Sequence, residues 1–477
     1  IQRCICDLES VYAVFLLNLK KRGSSIMEKR EQVIKDLEEV IGYIKSDDLA
    51  DEAKKKITDD TINYFNNYVS PGWLKYRKSV STNAAVVEWS DKGAYCSGLY
   101  GEKFIDCLGG FGIYTCGHRN DEILDVVKAQ LDHQALHSQE LLDPLRGYLA
   151  KAVADITPGD LEYCFFTNGG AEAVEMALKL ARIATGGRWY ISTVGAFHGK
   201  SMGAISCGGK STYRTPYTPM VQQVQHVEYG NAEDMRKAIR NLHTVGEKVA
   251  AVIIEPIQGE AGVIVPPKGY LQEVRDICDE YGVALIFDEI QTGMGRTGTM
   301  WRCEAEGVTP DIMTYGKAFG GGIMPITGII CKPKMWTQDL IDNPWLLGSP
   351  TFGGNPVCCS AAIATIKYML EQDIPGQCRE KGEYLKAGLE QLWKKYPTVI
   401  DEVRGIGLML AVEFCESDVG YSVAKGLFQR GVMTAGTLVN AKCVRFEPTG
   451  VISKEDMDDV IERMDAALSD TKKEFNL

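Results

Sequence analysis

Residues 283–322, VALIFDEIQTGMGRTGTMWRCEAEGVTPDIMTYGKAFGGG, contain two short apolar runs that each end close to an ionisable residue. The first run, 283–287, is followed directly by Asp288, and the second, 312–315, is followed by a glycine and Lys317. Short apolar runs bounded by turn formers predict buried strands. Ligands bind at the carboxyl ends of the strands in an open α/β sheet, so we expect Asp288 and Lys317 to meet there.

An aspartate and a lysine at one sheet edge have two interpretations. They could form a structural salt bridge, which is what most such pairs are. Alternatively, Lys317 could form a Schiff base with the aldehyde of pyridoxal phosphate while Asp288 holds the pyridine nitrogen protonated. The second interpretation requires a phosphate cradle, a group that stacks on the ring and a partner for the ring hydroxyl elsewhere in the chain.

The glycine run at 293–298, GMGRTG, fits the G-x-G-x-x-G pattern of dinucleotide-binding sites and follows a predicted strand. That pattern must also open a helix and be followed by an acid about twenty residues later. The next residues, 299–302, have no helical apolar repeat, and Glu304 comes too early for the acid that binds a ribose. The context therefore argues against a nicotinamide dinucleotide site.

Composition limits the class of protein. A chain of 477 residues that is 45% hydrophobic can bury a large core in two or more domains, and its net charge of −12 argues against nucleic acid as a partner. Fifteen cysteines without a C-x-x-C pair favour a reducing cytoplasm over a disulfide framework or a zinc site. No stretch approaches the length of a transmembrane helix, so no membrane partner is expected. Residues 1–26 are interpreted as an added or unstructured leader before Met27.

Strand-like and helix-like segments alternate through the middle of the chain, which predicts an α/β fold with a mostly parallel sheet flanked by helices. Strands are predicted at 163–166, 188–193, 249–254, 283–287, 312–315 and 327–331, and helices at 122–133, 173–184, 269–281 and 357–371. A helical pattern over 28–68 and short strands at 86–89 and 103–106 come before them. A helix at 381–396, strands at 407–414 and 442–446 and a last helix after Lys454 come after them.

These patterns predict three parts beyond the leader. Residues 27–120 form an N-terminal helical segment and small subdomain, 121–356 form the large domain, and 357–477 form a small α+β domain. His118, which precedes a predicted helix, is interpreted as a helix-start contact.

A second set of residues fits the requirements of a phosphate-bearing ring. The strand at 163–166 runs into TNGGAE (167–172) and a helix, and bare backbone N–H groups at a helix start form an anion site. Phe197 follows a strand, where an aromatic ring could lie on a heterocycle or simply join the core. Gln291, three residues after Asp288, could turn back and donate to a ring hydroxyl.

Taken together, the chain resembles the class III aminotransferases of fold type I from about residue 60 onward. The motifs that carry the resemblance are TNGGAEA (167–173), AFHG (196–199), EPIQGE (255–260), DEIQTG (288–293), GK (316–317), TFGGNP (351–356) and RGIG (404–407). Each motif is weak alone, but their order and spacing are specific. Within the family the chain is similar to the branch that acts on putrescine, through PGWL (71–74), 108–113, LHSQELLDPL (136–145), AGTL (435–438) and NAK (440–442).

The resemblance implies pyridoxal 5'-phosphate as the cofactor and a role for each matching residue. Lys317 would carry the cofactor and shuttle a proton, and Asp288 would pair with the ring nitrogen. The remaining cofactor contacts that it implies are Gly170 and Ala171 at the phosphate, Phe197 stacked on the ring, His198 beside it, Gln291 at the ring hydroxyl, and Thr351 at the phosphate of a neighbouring subunit. The last contact implies a homodimer with shared active sites.

The implied reaction transfers an amine from a terminal diamine, putrescine or cadaverine, to 2-oxoglutarate and gives an amino-aldehyde and glutamate. Arg445 would clamp the carboxylate of the oxo acid, and Glu260 would cover Arg445 while a diamine is bound. Phe111 and Gln139 are further substrate-side candidates. The chain departs from the family pattern at 447–450, which reads EPTG, at 347–350, which reads LGSP, and at Gly316 in place of a common alanine.

Three other functions remain open at this point. An ω-aminotransferase acting on ornithine, acetylornithine or 4-aminobutyrate would use the same cofactor. An NAD-dependent oxidoreductase would use the glycines at 293–298. A non-catalytic binding protein on the same fold is disfavoured because the chain has both Lys317 and Asp288.

Overall fold

The computed structural model of the protein describes residues 29–76 and 85–477, and the predicted leader at 1–26 lies outside these residues. The chain divides into two compact units, Ile1–Val87 and Glu88–Leu477. In the first unit the described helices are α1 (29–45), α2 (Asp51–Tyr64) and α3 (Pro71–Tyr76), with a π-helical turn at Phe65–Val69 between α2 and α3. The helical pattern predicted over 28–68 is thus two helices separated by the turn residues that follow 29–45.

The second unit contains three sheets. Their strands are β1 (Glu88–Lys92), β2 (Tyr95–Gly98), β3 (Lys103–Asp106), β4 (Tyr163–Thr167), β5 (Trp189–Thr193), β6 (Gln223–Val227), β7 (Val249–Ile254), β8 (Ala284–Asp288), β9 (Ile312–Tyr315), β10 (Thr327–Cys331), β11 (Ile400–Ile406), β12 (Met409–Phe414), β13 (Val432–Met433), β14 (Ala435–Gly436) and β15 (Cys443–Phe446). Its helices are α4 (Asp121–His133), α5 (Pro144–Asp155), α6 (Gly170–Thr185), α7 (Met202–Cys207), α8 (Ser211–Arg214), α9 (Ala232–Thr244), α10 (Tyr270–Tyr281), α11 (Arg302–Glu306), α12 (Gln338–Asp342), α13 (Pro356–Glu371), α14 (Ile374–Lys395), α15 (Ser417–Gln429) and α16 (Lys454–Phe475).

The central sheet has seven strands in the order β4-β10-β9-β8-β7-β5-β6. All neighbouring pairs are parallel except those of β10, which is antiparallel to both β4 and β9. Every residue of β7, β8 and β9 is buried because helices cover both faces of the sheet, which explains their continuous apolar sequences. The α/β prediction with a mostly parallel sheet is confirmed.

Helix α6 fixes the position of the site-forming turn that precedes it. It buries Ala173, Val174, Ala177, Leu178 and Ala181 against the sheet, where they share one apolar cluster with side chains of β5, β7, β8, β9 and β10. Small residues on this face let the helix lie close to the strands. The start of α6 is therefore held at the carboxyl edge of the sheet.

Two smaller sheets are present besides the central one. Strands β11, β12, β15 and β14 form an antiparallel sheet, and β1, β2 and β3 form another that β13 joins in parallel to β3. Because β13 comes from the C-terminal part of the chain, the early strands and the late strands share one sheet. Helix α14 begins at Ile374, earlier than the predicted 381, with Pro375 in its first turn and Asp373 accepting a hydrogen bond from the Gly376 N–H. Proline is tolerated there because the first turn lacks hydrogen-bond acceptors for its N–H groups.

His118 is not a helix-start contact, because Asn120 caps α4. The imidazole is buried between two carboxylates, with Nδ1 2.9 Å from Asp91 Oδ2 and Nε2 2.7 Å from Asp106 Oδ2, and it stacks on Tyr114. Burial alone would lower the pKa of His118, but the hydrogen bonds to Asp106 and Asp91 outweigh it and raise the pKa to about 11. His118 is therefore an ion-paired link between strands β1 and β3 of this sheet and the chain that leads into α4.

We expect this link to give the protein a characteristic loss of stability in alkali. An unfolded histidine titrates near pH 6.5, so His118 stabilises the fold fully below that pH and loses the contribution as the pH rises through about 11. Between these values the free energy of unfolding should fall with pH about 1.4 kcal/mol per unit more steeply in the parent protein than in a His118→Gln variant. Urea unfolding at pH 7.5 and 9 measures both slopes; parallel slopes would show that the imidazole is neutral.

Candidate active site

Asp288, the last residue of β8, is buried and hydrogen-bonded. Its Oδ2 is 2.7 Å from His198 Nδ1, and its Oδ1 accepts hydrogen bonds from the Thr314 hydroxyl at 2.9 Å and the Ile290 N–H at 3.2 Å. Burial would raise the pKa of Asp288, but the hydrogen bond from His198 and its charge outweigh burial and lower it. Burial would lower the pKa of His198, and the hydrogen bond to Asp288 raises it instead. The two side chains form a buried ion pair.

Lys317 lies at the same edge of the sheet as Asp288. Strands β8 and β9 are parallel neighbours in which Asp288 is opposite Thr314, and Lys317 follows two residues after β9 ends. The lysine begins a short 3-10 turn and has a left-handed backbone conformation, with φ of 48°. A non-glycine residue in this region is uncommon and tends to occur at functional sites. Since the ion partner of Asp288 is His198, the interpretation of Asp288 and Lys317 as a simple structural salt bridge is wrong.

The surroundings of Lys317 favour a neutral amine. Burial lowers the pKa of Lys317, and the nearby Arg445 guanidinium adds to the effect. The carboxylates of Glu260, Glu447 and Asp288 oppose this change without overcoming it. A lysine with a lowered pKa has more of the neutral amine, which is the form that acts as a nucleophile and as a base.

The start of α6 forms an anion cradle next to these two residues. Gly169, the residue before the helix, has no side chain that could cap the free N–H groups of Gly170 and Ala171. Gly199 packs directly against this turn, and a Cβ added to it would lie 2.6 Å from the Ala171 Cβ. Unsatisfied N–H groups and the helix dipole at this position suit a phosphate group.

Phe197 reaches the site on a turn that Glu255 holds. The Glu255 carboxylate, at the end of β7, accepts hydrogen bonds from the N–H groups of Phe197 and Gly259, each at 3.0 Å. Burial is the main influence on this carboxyl and raises its pKa to about 7. Glu255 was not among the predicted site residues, although its place at the end of a buried apolar strand is a signal that could have identified it.

Gln291 lies between two parts of the chain that the sequence does not connect. Its Nε2 is 3.3 Å from the Phe111 carbonyl oxygen and 3.4 Å from Glu447 Oε2. A Cβ on Gly259 would lie 1.6 Å from Gln291 Oε1, so the glycine is needed for the amide to occupy this position. Glu447 is a site residue that was not predicted; in the sequence it stands out only as part of the departure from the family pattern at 447–450.

Arg445 and Glu260 form a buried ion pair beside Lys317. Arg445 Nη1 donates to Glu260 Oε1 at 2.8 Å, and the other carboxylate oxygen accepts the Leu438 N–H at 3.0 Å. The Phe111 ring centroid is 5.1 Å from the guanidinium carbon of Arg445. The structure therefore brings together three of the four predicted substrate-side residues, Arg445, Glu260 and Phe111.

Gln139 and Thr351 occupy a different position. The Gln139 amide donates to the Thr351 carbonyl oxygen at 2.5 Å, and both residues are exposed. They hydrogen-bond to each other, and neither is among the residues that line the cavity around Lys317. The predicted contact of Thr351 with the cofactor of a second subunit stays a prediction.

The cavity itself has a volume of about 250 Å³ and lies at the carboxyl edge of the sheet. Predicted site residues form most of its wall: Gly170, Ala171, Phe197, His198, Glu260, Asp288, Gln291 and Lys317. The rest of the wall consists of residues for which no role was predicted: Gly199, Glu255, Ile257, Ile290 and Thr292. One cavity thus joins an anion cradle, an aromatic side chain, a buried carboxylate and a lysine of lowered pKa.

The chain belongs to the class III aminotransferase family, whose sequence model matches residues 76–468. Its fold is the fold type I architecture predicted from the motifs. The structure is similar to an ornithine aminotransferase from Toxoplasma gondii, at 27% identity and a TM-score of 0.75 over 84% of this chain and 95% of that one. It is also similar to an (S)-enantioselective omega-transaminase from Thermomicrobium roseum, at 26% identity and a TM-score of 0.80 over 87% and 98%.

A third similar structure is a taurine:2-oxoglutarate aminotransferase from Bifidobacterium kashiwanohense, solved with PLP and glutamate, at 25% identity and a TM-score of 0.79 over 87% and 98%. The family assignment confirms pyridoxal 5'-phosphate as the cofactor and transamination as the reaction class. The NAD-dependent alternative is wrong: the glycines at 293–298 form a turn, and the next helix, α11, begins only at Arg302.

The residues of the cavity fit pyridoxal phosphate. The free N–H groups at the start of α6 suit its phosphate, and the side chains of Asp288 and Lys317 reach the same space from neighbouring strand ends. Although Asp288 already makes three hydrogen bonds, an ionised carboxylate has about four acceptor sites and retains capacity for a ring nitrogen.

A Gly199→Ala substitution should weaken cofactor binding. Its Cβ would clash with the Ala171 Cβ at 2.6 Å, and the φ of Gly199, +117°, is unfavourable for alanine, so the start of α6 must shift. We expect the dissociation constant for pyridoxal phosphate to rise at least tenfold, about 1.4 kcal/mol, in equilibrium dialysis.

Gly246→Ala is the matched control, because Gly246 also has a positive φ (+84°) but its Cβ would meet no atom within 4 Å. That variant should bind the cofactor like the parent protein. Equal affinities of the Gly199→Ala variant and this control would disprove the placement of the phosphate at the start of α6.

Proposed function

We propose that the protein transfers an amine from a terminal diamine, with putrescine or cadaverine as the substrate class, to 2-oxoglutarate. The observation that carries the proposal is the buried Arg445–Glu260 pair beside Lys317. Arg445 has the bidentate geometry that a 2-oxo acid carboxylate requires. While Glu260 neutralises it, a substrate that carries a second positive charge can also enter.

The chain supplies defined groups for the chemistry. Pyridoxal phosphate, when bound, provides a ring that accepts electrons from the carbon that carries the amine. Asp288, kept ionised by His198, would accept a hydrogen bond from the protonated ring nitrogen. Lys317, with its lowered pKa, would remove a proton from the substrate carbon and return it at the adjacent position. Phe197 would cover one face of the ring, and Gln291 has an amide N–H for the ring hydroxyl.

A homodimer is part of the proposal. Several large apolar side chains are exposed in the segments around the Gln139–Thr351 contact: Leu141 at 78%, Leu142 at 100%, Trp345 at 73% and Phe352 at 56%. Exposed apolar groups of this size are typical of subunit interfaces. A second copy that covers them would bring its own Thr351 near this region, in agreement with the resemblance.

The cellular site is proposed to be the cytoplasm. All thirteen cysteines of the described residues are free thiols, which suits a reducing compartment. No helix within 29–76 or 85–477 is long and apolar enough to cross a lipid bilayer.

An ω-aminotransferase acting on ornithine is the second candidate. It is favoured by the similarity to the Toxoplasma gondii ornithine aminotransferase. Ornithine has a carboxylate that would compete for Arg445, whereas a diamine has none. Activity on amino acids with a terminal amine therefore separates the two candidates.

An amine-donor panel with 2-oxoglutarate tests the proposed function. Glutamate formation should be at least tenfold more efficient, as kcat/KM, with 1,4-diaminobutane or 1,5-diaminopentane than with ornithine or 4-aminobutyrate. A Lys317→Ala variant, expected to lose activity more than a thousandfold and with it the visible absorbance of lysine-bound cofactor, controls for background turnover. A preference for ornithine or 4-aminobutyrate would overturn the diamine assignment.

A Glu260→Ala variant tests how one site accepts both substrates. Without Glu260 the buried Arg445 charge is unpaired and repels a diamine, while a 2-oxo acid or glutamate can still neutralise it. We expect kcat/KM to fall at least tenfold for 1,4-diaminobutane in the amine half-reaction and less than threefold for glutamate in the reverse half-reaction. Equal losses for both substrates would contradict the covering role of Glu260.

A further inference from the structure

Glu447 lies directly after β15 and is held in place through its backbone. Its N–H donates to the Cys107 carbonyl oxygen at 2.8 Å. Its own carbonyl oxygen approaches Gly109 so closely that a Cβ there would lie 2.0 Å away. The position of the Glu447 side chain in the interior is therefore determined by the packing of β15 against residues 107–109.

The carboxylate of Glu447 is buried, at 1% exposure, and is only half satisfied. Its Oε2 has one long hydrogen bond, 3.4 Å, from Gln291 Nε2. Its Oε1 has no hydrogen-bond partner among the residues that the structure describes. A buried carboxylate without a cation is costly unless a positive group completes its environment.

The other two carboxylates whose charges act on Lys317 have such partners. Asp288 pairs with His198, and Glu260 pairs with Arg445. Within 29–76 and 85–477, no ion pair of Glu447 is found, although its charge is among the three that favour the protonated form of Lys317. Glu447 is thus the acid at this site that has spare capacity for a positively charged ligand.

Glu447 lies close in sequence to Arg445, the predicted receptor for the substrate carboxylate. Its capacity to accept a positively charged group therefore bears on substrate recognition. The two residues are two positions apart at the end of one strand, so their side chains leave the same face of the backbone. Arg445 is a receptor for a carboxylate, and Glu447 beside it is a receptor for an ammonium group. The two residues lie behind the cavity wall rather than in it: Arg445 contacts the lining residue Glu260, and Glu447 contacts the lining residue Gln291. One strand end thus places both kinds of charge beside the cavity.

We propose that Glu447 binds the unreacted ammonium group of the amine donor and so selects donors that carry a second positive charge. This inference deepens the proposed diamine activity and rests on it for the class of donor. The acceptor oxygen is Oε1, and Gln291 orients the carboxylate through Oε2. While the ammonium group is bound, Glu447 has the cation that the protein alone does not supply.

A Glu447→Gln variant tests the proposal, because it removes the charge and keeps the shape. Two pairs of donors that differ by one amine are compared: 1,4-diaminobutane with 1-aminobutane, and ornithine with 5-aminopentanoate. The comparison is made in each pair of which the parent protein accepts at least one member as a donor. For the donor with the second ammonium group, kcat/KM of the variant should fall at least tenfold, mainly because KM rises. The donor without that group should change less than twofold.

Two further variants serve as controls. Glu447→Asp retains the charge and should keep part of the preference for the second ammonium. Glu402→Gln neutralises an exposed acid of β11, which belongs to the same sheet as β15 but is not its neighbour, and should behave like the parent protein. The visible absorbance of the bound cofactor and the thermal unfolding midpoint show that each variant is folded and loaded.

The two proposals fail in different ways. If the parent protein uses the ornithine pair and not the diaminobutane pair, the diamine function is wrong, and Glu447 is then judged on the ornithine pair. Equal losses for both members of a pair would show that Glu447 acts only through Gln291 or the backbone and would overturn the inference. A parent protein that shows no preference for the second ammonium in either pair would also overturn it.

Discussion

The arrangement of the site depends on keeping the Asp288 carboxylate ionised although it is almost entirely buried. Desolvation of a carboxylate costs several kcal/mol, and only a closely placed cation together with hydrogen bonds recovers this free energy. His198 supplies the cation, and Thr314 and the Ile290 N–H supply the remaining hydrogen bonds. Because these groups come from three different segments, the position of the carboxylate requires the whole sheet edge to be assembled.

The same constraint acts on the neighbouring charges. Glu255, close to Asp288 and without a cation of its own, has a pKa raised to about 7 by burial and by that negative neighbour. Its two hydrogen bonds from the N–H groups of Phe197 and Gly259 hold the turn that carries the Phe197 ring. Burial lowers the pKa of Lys317, because it penalises the charged ammonium, and so favours the neutral amine. The site thus separates one permanent anion from one readily deprotonated amine at neighbouring strand ends.

The sequence predicted those parts of the site that local pattern determines. Asp288 and Lys317 end apolar runs, and Gly170 opens a helix after a strand, so sheet topology alone places them at one edge. The partners of Gln291 could not be found this way, since Phe111 and Glu447 are 180 and 156 residues away along the chain. His118 was misinterpreted for the same reason. Its neighbours Asp91 and Asp106 come from strands whose pairing the sequence does not state.

Two receptors of opposite charge on one strand explain how a small cavity can serve chemically different substrates. Arg445 is already neutralised by Glu260, so its charge becomes available only to a ligand whose carboxylate replaces that of Glu260. The Leu438 N–H would still hold the displaced carboxylate through its other oxygen. Glu447 needs no such exchange, since its Oε1 is free within the described structure. Binding of a cationic donor therefore leaves the Arg445–Glu260 pair intact, whereas binding of an anionic acceptor must open it. The charge of the ligand thus determines whether this ion pair is closed or open.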